Sequence, residues 1–169
     1  MPSEAINITT MPTAAEIIAL LKLEPLPNEG GFFRRTYTST ATLPGGRPAG
    51  TAIHFLLTPE GFSALHRLLT DEVWHFHAGD PVEHLMLDPA SGRGTRTIIG
   101  SDLPGGQQTQ RTVPGGVWQG ARLATGGAWA LVGCTMSPGW DEREFTLGER
   151  NVLITRFPEW AGDIRALTR

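Results

Sequence analysis

The sequence predicts one mainly β domain, a barrel or sandwich of short strands, with a single short helix before it. Three observations carry this. The chain holds 21 glycines and 13 prolines in 169 residues, so turns recur throughout it. Between those turns lie apolar and β-branched runs, about nine or ten of them, at the 8–12-residue spacing of all-β folds. Helical periodicity is confined to a stretch near the N-terminus and a short tail. The length suits one domain able to bury a core without a covalent staple.

The elements follow in order. Residues 1–12 show no period and read as a flexible arm, leaving residues 13–169 as the single domain. Thr13-Ala14-Ala15-Glu16 has the form of a capping box. Ile17, Ile18, Leu20 and Leu21 then recur at helical spacing, which predicts a helix over Thr13–Leu23, ended by Pro25 and Pro27. From there to about Thr146 the chain reads as β. Strands are expected over 32–39, 51–57, 63–69, 72–78, 82–88, 95–100, 107–113, 116–123 and 128–136. The apolar run 51–57 reads as a strand buried on both faces. Glu159–Leu167 reads as a short closing helix.

Composition narrows the partners. The net charge is −3 and no segment is strongly basic, which argues against nucleic acid and anionic membranes. No apolar run approaches the ~18 residues of a membrane span. A lone cysteine, Cys134, excludes an intrachain disulfide, and a reducing cytoplasm is the expected setting. None of the glycine-rich turns follows a strand and opens a helix as a phosphate loop does. The expected partners are a small-molecule ligand and a second copy of the chain, pairing through an exposed sheet face and a free edge.

The functional groups concentrate between His66 and Gly79. Four of the five histidines lie between His66 and His84, and the fifth is His54. Alternation along 72–78 puts Glu72, Trp74 and Phe76 on one face and Val73, His75 and His77 on the other. A carboxylate sharing a face with two aromatics suggests the wall of a pocket. Desolvation raises its pKa there, which suits a general acid or base. His75 and His77 read as surface or interface residues. Arg34 and Arg35 alternate, so one of them faces inward, where an arginine suits a carboxylate or phosphate. Cys134 reads as a buried small hydrophobe. Asp141, Glu142 and Glu144 read as a solvated loop, or else as the rim of the pocket.

At these residues the sequence resembles the cupins. His66 precedes Glu72 by six positions and Gly79 follows by seven, a spacing that resembles the first cupin motif. Pro114-Gly115-Gly116-Val117-Trp118-Gln119 resembles the second. Glu29-Gly30-Gly31-Phe32-Phe33-Arg34, Phe62 to Arg67, Asp71 to Phe76, Val132-Gly133-Cys134-Thr135 and Ser137-Pro138-Gly139 look like blocks of an uncharacterised small cupin family. The resemblance covers residues 13–139 and implies a jelly-roll barrel with a pocket inside it. More distantly, the chain is similar to cupins that epimerise nucleotide-linked keto sugars. His66 falls at their base, and Val132 falls where their tyrosine acid stands.

Many cupins hold a divalent metal through two histidines and a glutamate of the first motif and a histidine of the second. Carried over by position, these are His66, Leu68, Glu72 and Gln119. Leucine cannot ligate and a neutral amide is a poor substitute for imidazole, so no complete metal site and no cofactor is expected. The resulting expectation is a ligand-binding cupin whose pocket is lined by His66, Glu72, Trp74, Phe76, Gln110, Trp118 and Gln119, with Arg34 nearby. The alternative is a metal-free isomerase in which His66 and Glu72 handle protons. A plainer reading makes His66 and Glu72 a mutual hydrogen-bonded pair.

Overall fold

The structure is a computed structural model and describes residues 11–169. The helix α1 (Ala14–Leu21) is followed by β1 (Glu24–Pro25), β2 (Phe32–Thr38), β3 (Thr51–Leu57), β4 (Ser63–Arg67), β5 (Glu72–Gly79) and β6 (Val82–Asp88). Then come β7 (Arg93–Ile99), β8 (Gln110–Val113), β9 (Trp118–Leu123), β10 (Ala130–Met136), β11 (Thr146–Leu147), α2 (Arg150–Arg156) and α3 (Ala161–Ala166). Two antiparallel sheets face one another. One has six strands in the order β1-β2-β3-β10-β5-β8, the other five in the order β11-β4-β9-β6-β7. This is a jelly-roll barrel, as the sequence predicts.

The capping box of α1 forms in full. Thr13 Oγ1 accepts from the Glu16 amide at 3.3 Å, and the Glu16 carboxylate accepts from the Thr13 amide at 2.7 Å. The helix stops at Lys22 in the left-handed conformation, one residue before the expected end. It lies on the outer face of the six-stranded sheet, where Ile17 packs with Leu23, Leu56 and Trp129. This explains β3. Phe55 and Leu57 point into the barrel and Leu56 lies beneath the helix, so the strand's second half is buried on both faces. The expected arm falls mostly outside the described residues. Its last residue, Pro12, is fixed: its carbonyl accepts from the Trp129 indole at 2.7 Å.

Three elements escaped the sequence reading. β1 and β11 have two residues each, too short to show a period. The helix α2 has the sequence RNVLITR, rich in β-branched residues and without a side-chain N-cap, so local preference hides it. Packing decides it instead. Leu153, Phe157, Ile164 and Leu167 from this C-terminal region cover Leu65, Leu85 and Leu87 on the outer face of the five-stranded sheet. The closing helix appears as a single turn at Pro158–Trp160 continued by α3.

Strand register sets the site. On the inner face of the six-stranded sheet, Arg35, Ile53, Cys134, Trp74 and Arg111 form one cross-strand row. Thr51, Met136, Glu72 and Val113 form the next. The outer row beside the first, on the side away from Glu72, is Arg34, His54, Gly133, His75 and Gln110. A bulge does occur in β5, at His77, but it comes after Phe76, so Glu72, Trp74 and Phe76 keep their shared inward face.

Candidate functional site

The cavity lies inside the barrel at the end where Glu72 enters. Its volume is about 490 Å³, within the usual range for a small-molecule pocket. Its floor and walls include Phe55, Trp74, Cys134 and Leu68. His66 and Glu72 supply the deep polar groups, while Arg35, Trp140 and Phe145 stand toward the mouth.

His66 comes from β4 and is 2% exposed. Its Nδ1 lies 2.8 Å from the Ala64 carbonyl oxygen. A carbonyl only accepts, so Nδ1 carries a proton, and of the two neutral tautomers this bond selects the one with its lone pair on Nε2. Nε2 has no protein partner among the described residues and is not sealed from the cavity. Phe145 stacks on the ring at 5.3 Å between centroids. Behind Nδ1, at 4.0 Å, stands Glu29 Oε1, which accepts from Ser63 Oγ at 2.7 Å. Glu29 is placed by a tight turn. Gly30 has φ +101°, and a Cβ there would lie 2.4 Å from the Phe62 carbonyl oxygen, so only glycine fits.

Glu72 enters from the facing sheet. Its Oε2 accepts from Gln119 Nε2 at 2.7 Å, and its Oε1 faces the cavity without a protein partner among the described residues. Burial pushes its carboxyl above the usual carboxylate range. The nearby His66 opposes that shift, Glu29 adds to it, and the Gln119 hydrogen bond opposes it. Gln119 is oriented without ambiguity. The Trp74 indole can only donate, and it meets Gln119 Oε1 at 2.9 Å, which leaves the amide N–H₂ for Glu72. His84 Nε2 approaches the same oxygen at 3.3 Å. Burial, with Arg111 nearby, pushes the His84 imidazole down to about 3, so the ring is neutral. His66 and Glu72 therefore do not bond each other. Each is held by its own partner and presents one acceptor to the cavity.

The remaining expected residues sort by face. Gln119 sits behind the cavity wall as the bridge between the two sheets. Trp118 precedes it on β9 and so points the opposite way, outside the barrel, under the Arg67 guanidinium at 4.9 Å from the ring centroid. Gln110 is exposed on the outer row, with its Nε2 3.0 Å from His75 Nδ1. Phe76 points inward but packs into the core cluster beyond the cavity. Arg34 belongs to the outer row and donates to the Leu21 carbonyl at 3.4 Å. Its neighbour Arg35 is the inward arginine. Of the eight residues expected at the site, His66, Glu72 and Trp74 line the cavity, Gln119 supports it, and Arg34, Phe76, Gln110 and Trp118 lie elsewhere.

Sequence reasoning missed Arg35, Glu29 and Phe145. The Arg34/Arg35 alternation left two choices, and a strand-pairing partner was needed to decide between them. Glu29 carried a signal in its Gly30-Gly31 neighbours. Phe145 comes from a loop after the last long strand and carried none. Glu142 lines the cavity mouth, whereas Glu144 turns away to Arg47. Burial pushes the Cys134 thiol up, with Glu72 and Glu29 adding to it, so it is an unreactive wall group.

The donor set does not fit the metal of metal-binding cupins. Leu68 presents only carbon to the cavity. Gln119 turns its amide N–H₂ toward Glu72 and its oxygen is taken by Trp74. Among the described residues, no group of three or more histidine, cysteine or carboxylate side chains is placed to hold a metal ion.

A two-sheet jelly roll with a pocket inside the barrel is the architecture of the cupins. Residues 15–148 match the family described as cupin superfamily (DUF985), and the chain belongs to it. A Shewanella oneidensis protein is 34% identical, with TM-score 0.88, covering 94% of this chain and 99% of that one. A hypothetical protein from Leishmania major is also 34% identical, with TM-score 0.84, covering 93% and 99%. A cupin 2 conserved barrel domain protein from Rhodopseudomonas palustris shares the fold at 14% identity and TM-score 0.60, covering 87% and 89%. No curated protein matches the chain.

Proposed function

We propose that this protein binds a small organic molecule inside the barrel, without a complete metal site. The observation that carries this reading is the cavity of about 490 Å³ into which His66 Nε2 and Glu72 Oε1, two acceptors without a protein partner among the described residues, project from opposite sheets. Buried polar atoms seek partners, and a ligand with donor groups at its inner end supplies them. Aromatic walls from Phe55, Trp74, Phe145 and Trp140 favour an apolar or flat body. The test is a metabolite screen by thermal shift and calorimetry on the wild type and His66→Ala. The expected result is a saturable, one-to-one ligand whose affinity falls in the variant. Ligands that bind both proteins equally refute the site.

A second reading, a metal-free isomerase, is favoured by the tautomer of His66 and the raised carboxyl of Glu72. Neutral Nε2 would accept a proton from carbon next to a carbonyl, and Ala64 and Glu29 would steady the resulting imidazolium. Protonated Glu72 would return a proton to the substrate, and exchange with solvent would then remove the proton from His66 and restore the one on Glu72. The chain's one tyrosine, Tyr37, is exposed, and Val132 is fully buried in the core, so no phenol serves and the return falls to Glu72. Deuterium wash-in to a bound carbonyl compound in D₂O, followed by NMR, separates the readings. An enzyme exchanges that hydrogen and loses exchange far more than affinity in His66→Ala, whereas a binder leaves it untouched.

A further inference from the structure

The mouth of the cavity holds a charge that the deep end does not account for. Arg35 reaches in from β2, half-buried, with its guanidinium 5.8 Å from the Trp140 ring centroid. Among the described residues it has no hydrogen bond and no ion pair. Its outward neighbour Arg34 donates to a backbone carbonyl, and Arg47, close by in the fold, is matched to Glu144 at 2.6 Å. Burial disfavours the Arg35 charge, and a half-desolvated cation without an anion is costly unless something supplies one. The carboxylates around the cavity do not. Glu72 is tied to Gln119, Glu29 to Ser63, and Glu142 is exposed at the surface.

The planar guanidinium fork suits the two oxygens of a carboxylate or phosphate. Trp140 below it supplies a flat face for the adjoining part of a ligand. The deep end has the opposite polarity, since His66 Nε2 and Glu72 Oε1 accept. In the register, Arg35 and Trp74 are three strands apart, which at ~4.8 Å per strand is about 14 Å of backbone. An inorganic ion would fill only the mouth.

We propose that the pocket selects a small organic anion, a carboxylate or phosphate ester, held at its charged end by Arg35 over Trp140 and at its other end by a hydroxyl or similar donor facing Glu72 and His66. This rests on the barrel pocket being the ligand site. Arg35 is then the residue that sets ligand class.

The test uses matched pairs whose hydroxyl lies far from the charge: 4-hydroxyphenylacetate and glucose 6-phosphate against 4-hydroxyphenylacetamide and glucose. Each is titrated by calorimetry into wild type, Arg35→Gln and Arg35→Lys, with circular dichroism confirming that the variants fold. At least one anion is expected to bind tenfold or more tightly than its neutral partner. That preference disappears in Arg35→Gln and persists, weakened, in Arg35→Lys. It also shrinks as salt rises. A neutral partner that binds as well as its anion overturns the anion proposal and leaves the pocket standing as a ligand site. So does an anion preference that survives in Arg35→Gln. A panel in which nothing binds counts against both.

Discussion

Replacing Gln119 by leucine removes the bridge between the two sheets while nearly keeping its volume. Gln119 is 1% exposed and its amide meets three buried groups. The Trp74 indole N–H would lose its acceptor, at about 1–3 kcal/mol for an unsatisfied buried donor. The bond to Glu72 has a charged acceptor when the carboxyl is ionised and is worth about 1.5–3 kcal/mol. The His84 contact at 3.3 Å is long and adds little. Together the loss is about 2.5–6 kcal/mol, a large part of a typical domain's ~5–15 kcal/mol margin. For a domain of this size that corresponds to a fall in Tm of roughly 5–24 °C. Calorimetry at pH 8 on wild type, Glu72→Gln, Gln119→Leu and the double variant checks both size and source. The cycle is expected to give a coupling of about 1.5–3 kcal/mol between the two positions. A fall in Tm under about 3 °C with no coupling would mean that water from the cavity replaces the amide. The bridge would then not be what holds Glu72 in place.

Three further outcomes are expected. Glu72 has a folded pKa raised by burial, so its contribution to stability is fully present below about pH 4.5 and is lost as pH rises through the raised value; Glu72→Gln should therefore gain stability over wild type at pH 8 and lose that advantage near pH 4, as read by denaturant melts across the range. Arg47 joins Glu144 at 2.6 Å, the Gly139 carbonyl at 2.6 Å and Thr70 at 3.0 Å, pinning the segment that carries Trp140 and Phe145; Arg47→Ala should cost about 2–4 kcal/mol and bring new proteolytic cleavage within residues 139–148 on limited digestion. The double variant Leu68→His with Gln119→His restores the donor types of a metal cupin, and elemental analysis should find a stoichiometric transition metal in it and none in the wild type.

What the sequence made legible follows from what alternation can and cannot carry. Period two correctly paired Glu72 with Trp74 and turned His75 outward, because all three precede the bulge; His77 is the bulged residue and lies on the outer side against His54. The same rule rejects Trp118 beside Gln119, since adjacent strand residues point to opposite faces. The second-motif resemblance drew both into the pocket, and the register sends Trp118 out beneath Arg67. For Arg34 and Arg35, alternation divides the pair without naming the inner one. That depends on Arg35 pairing with Ile53 and Ile53 with Cys134, contacts between distant segments. The helix α2 was hidden for a similar reason, because its reason for being helical lies in Leu65, Leu85 and Leu87 on the sheet it covers.

The positions where the chain departs from a metal-binding cupin do not leave a gap in the barrel. Leu68 fills one with apolar surface. Gln119 turns the other into a cross-link, donating to a carboxylate of one sheet from a strand of the other. Removing a cation from that layer would ordinarily leave Glu72 as an uncompensated buried charge. Here the amide, the nearby His66 and a raised pKa share that task, and Glu72 can carry a proton in place of a metal. The two groups left facing the cavity are a lone pair on nitrogen and a carboxyl oxygen, both suited to hydrogen bonds and protons, while the one thiol is held protonated by burial. The available chemistry is therefore recognition of a donor group or movement of a proton. If the pocket is the ligand site, Arg35, unmatched at the mouth among the described residues, decides which molecules bring that donor in.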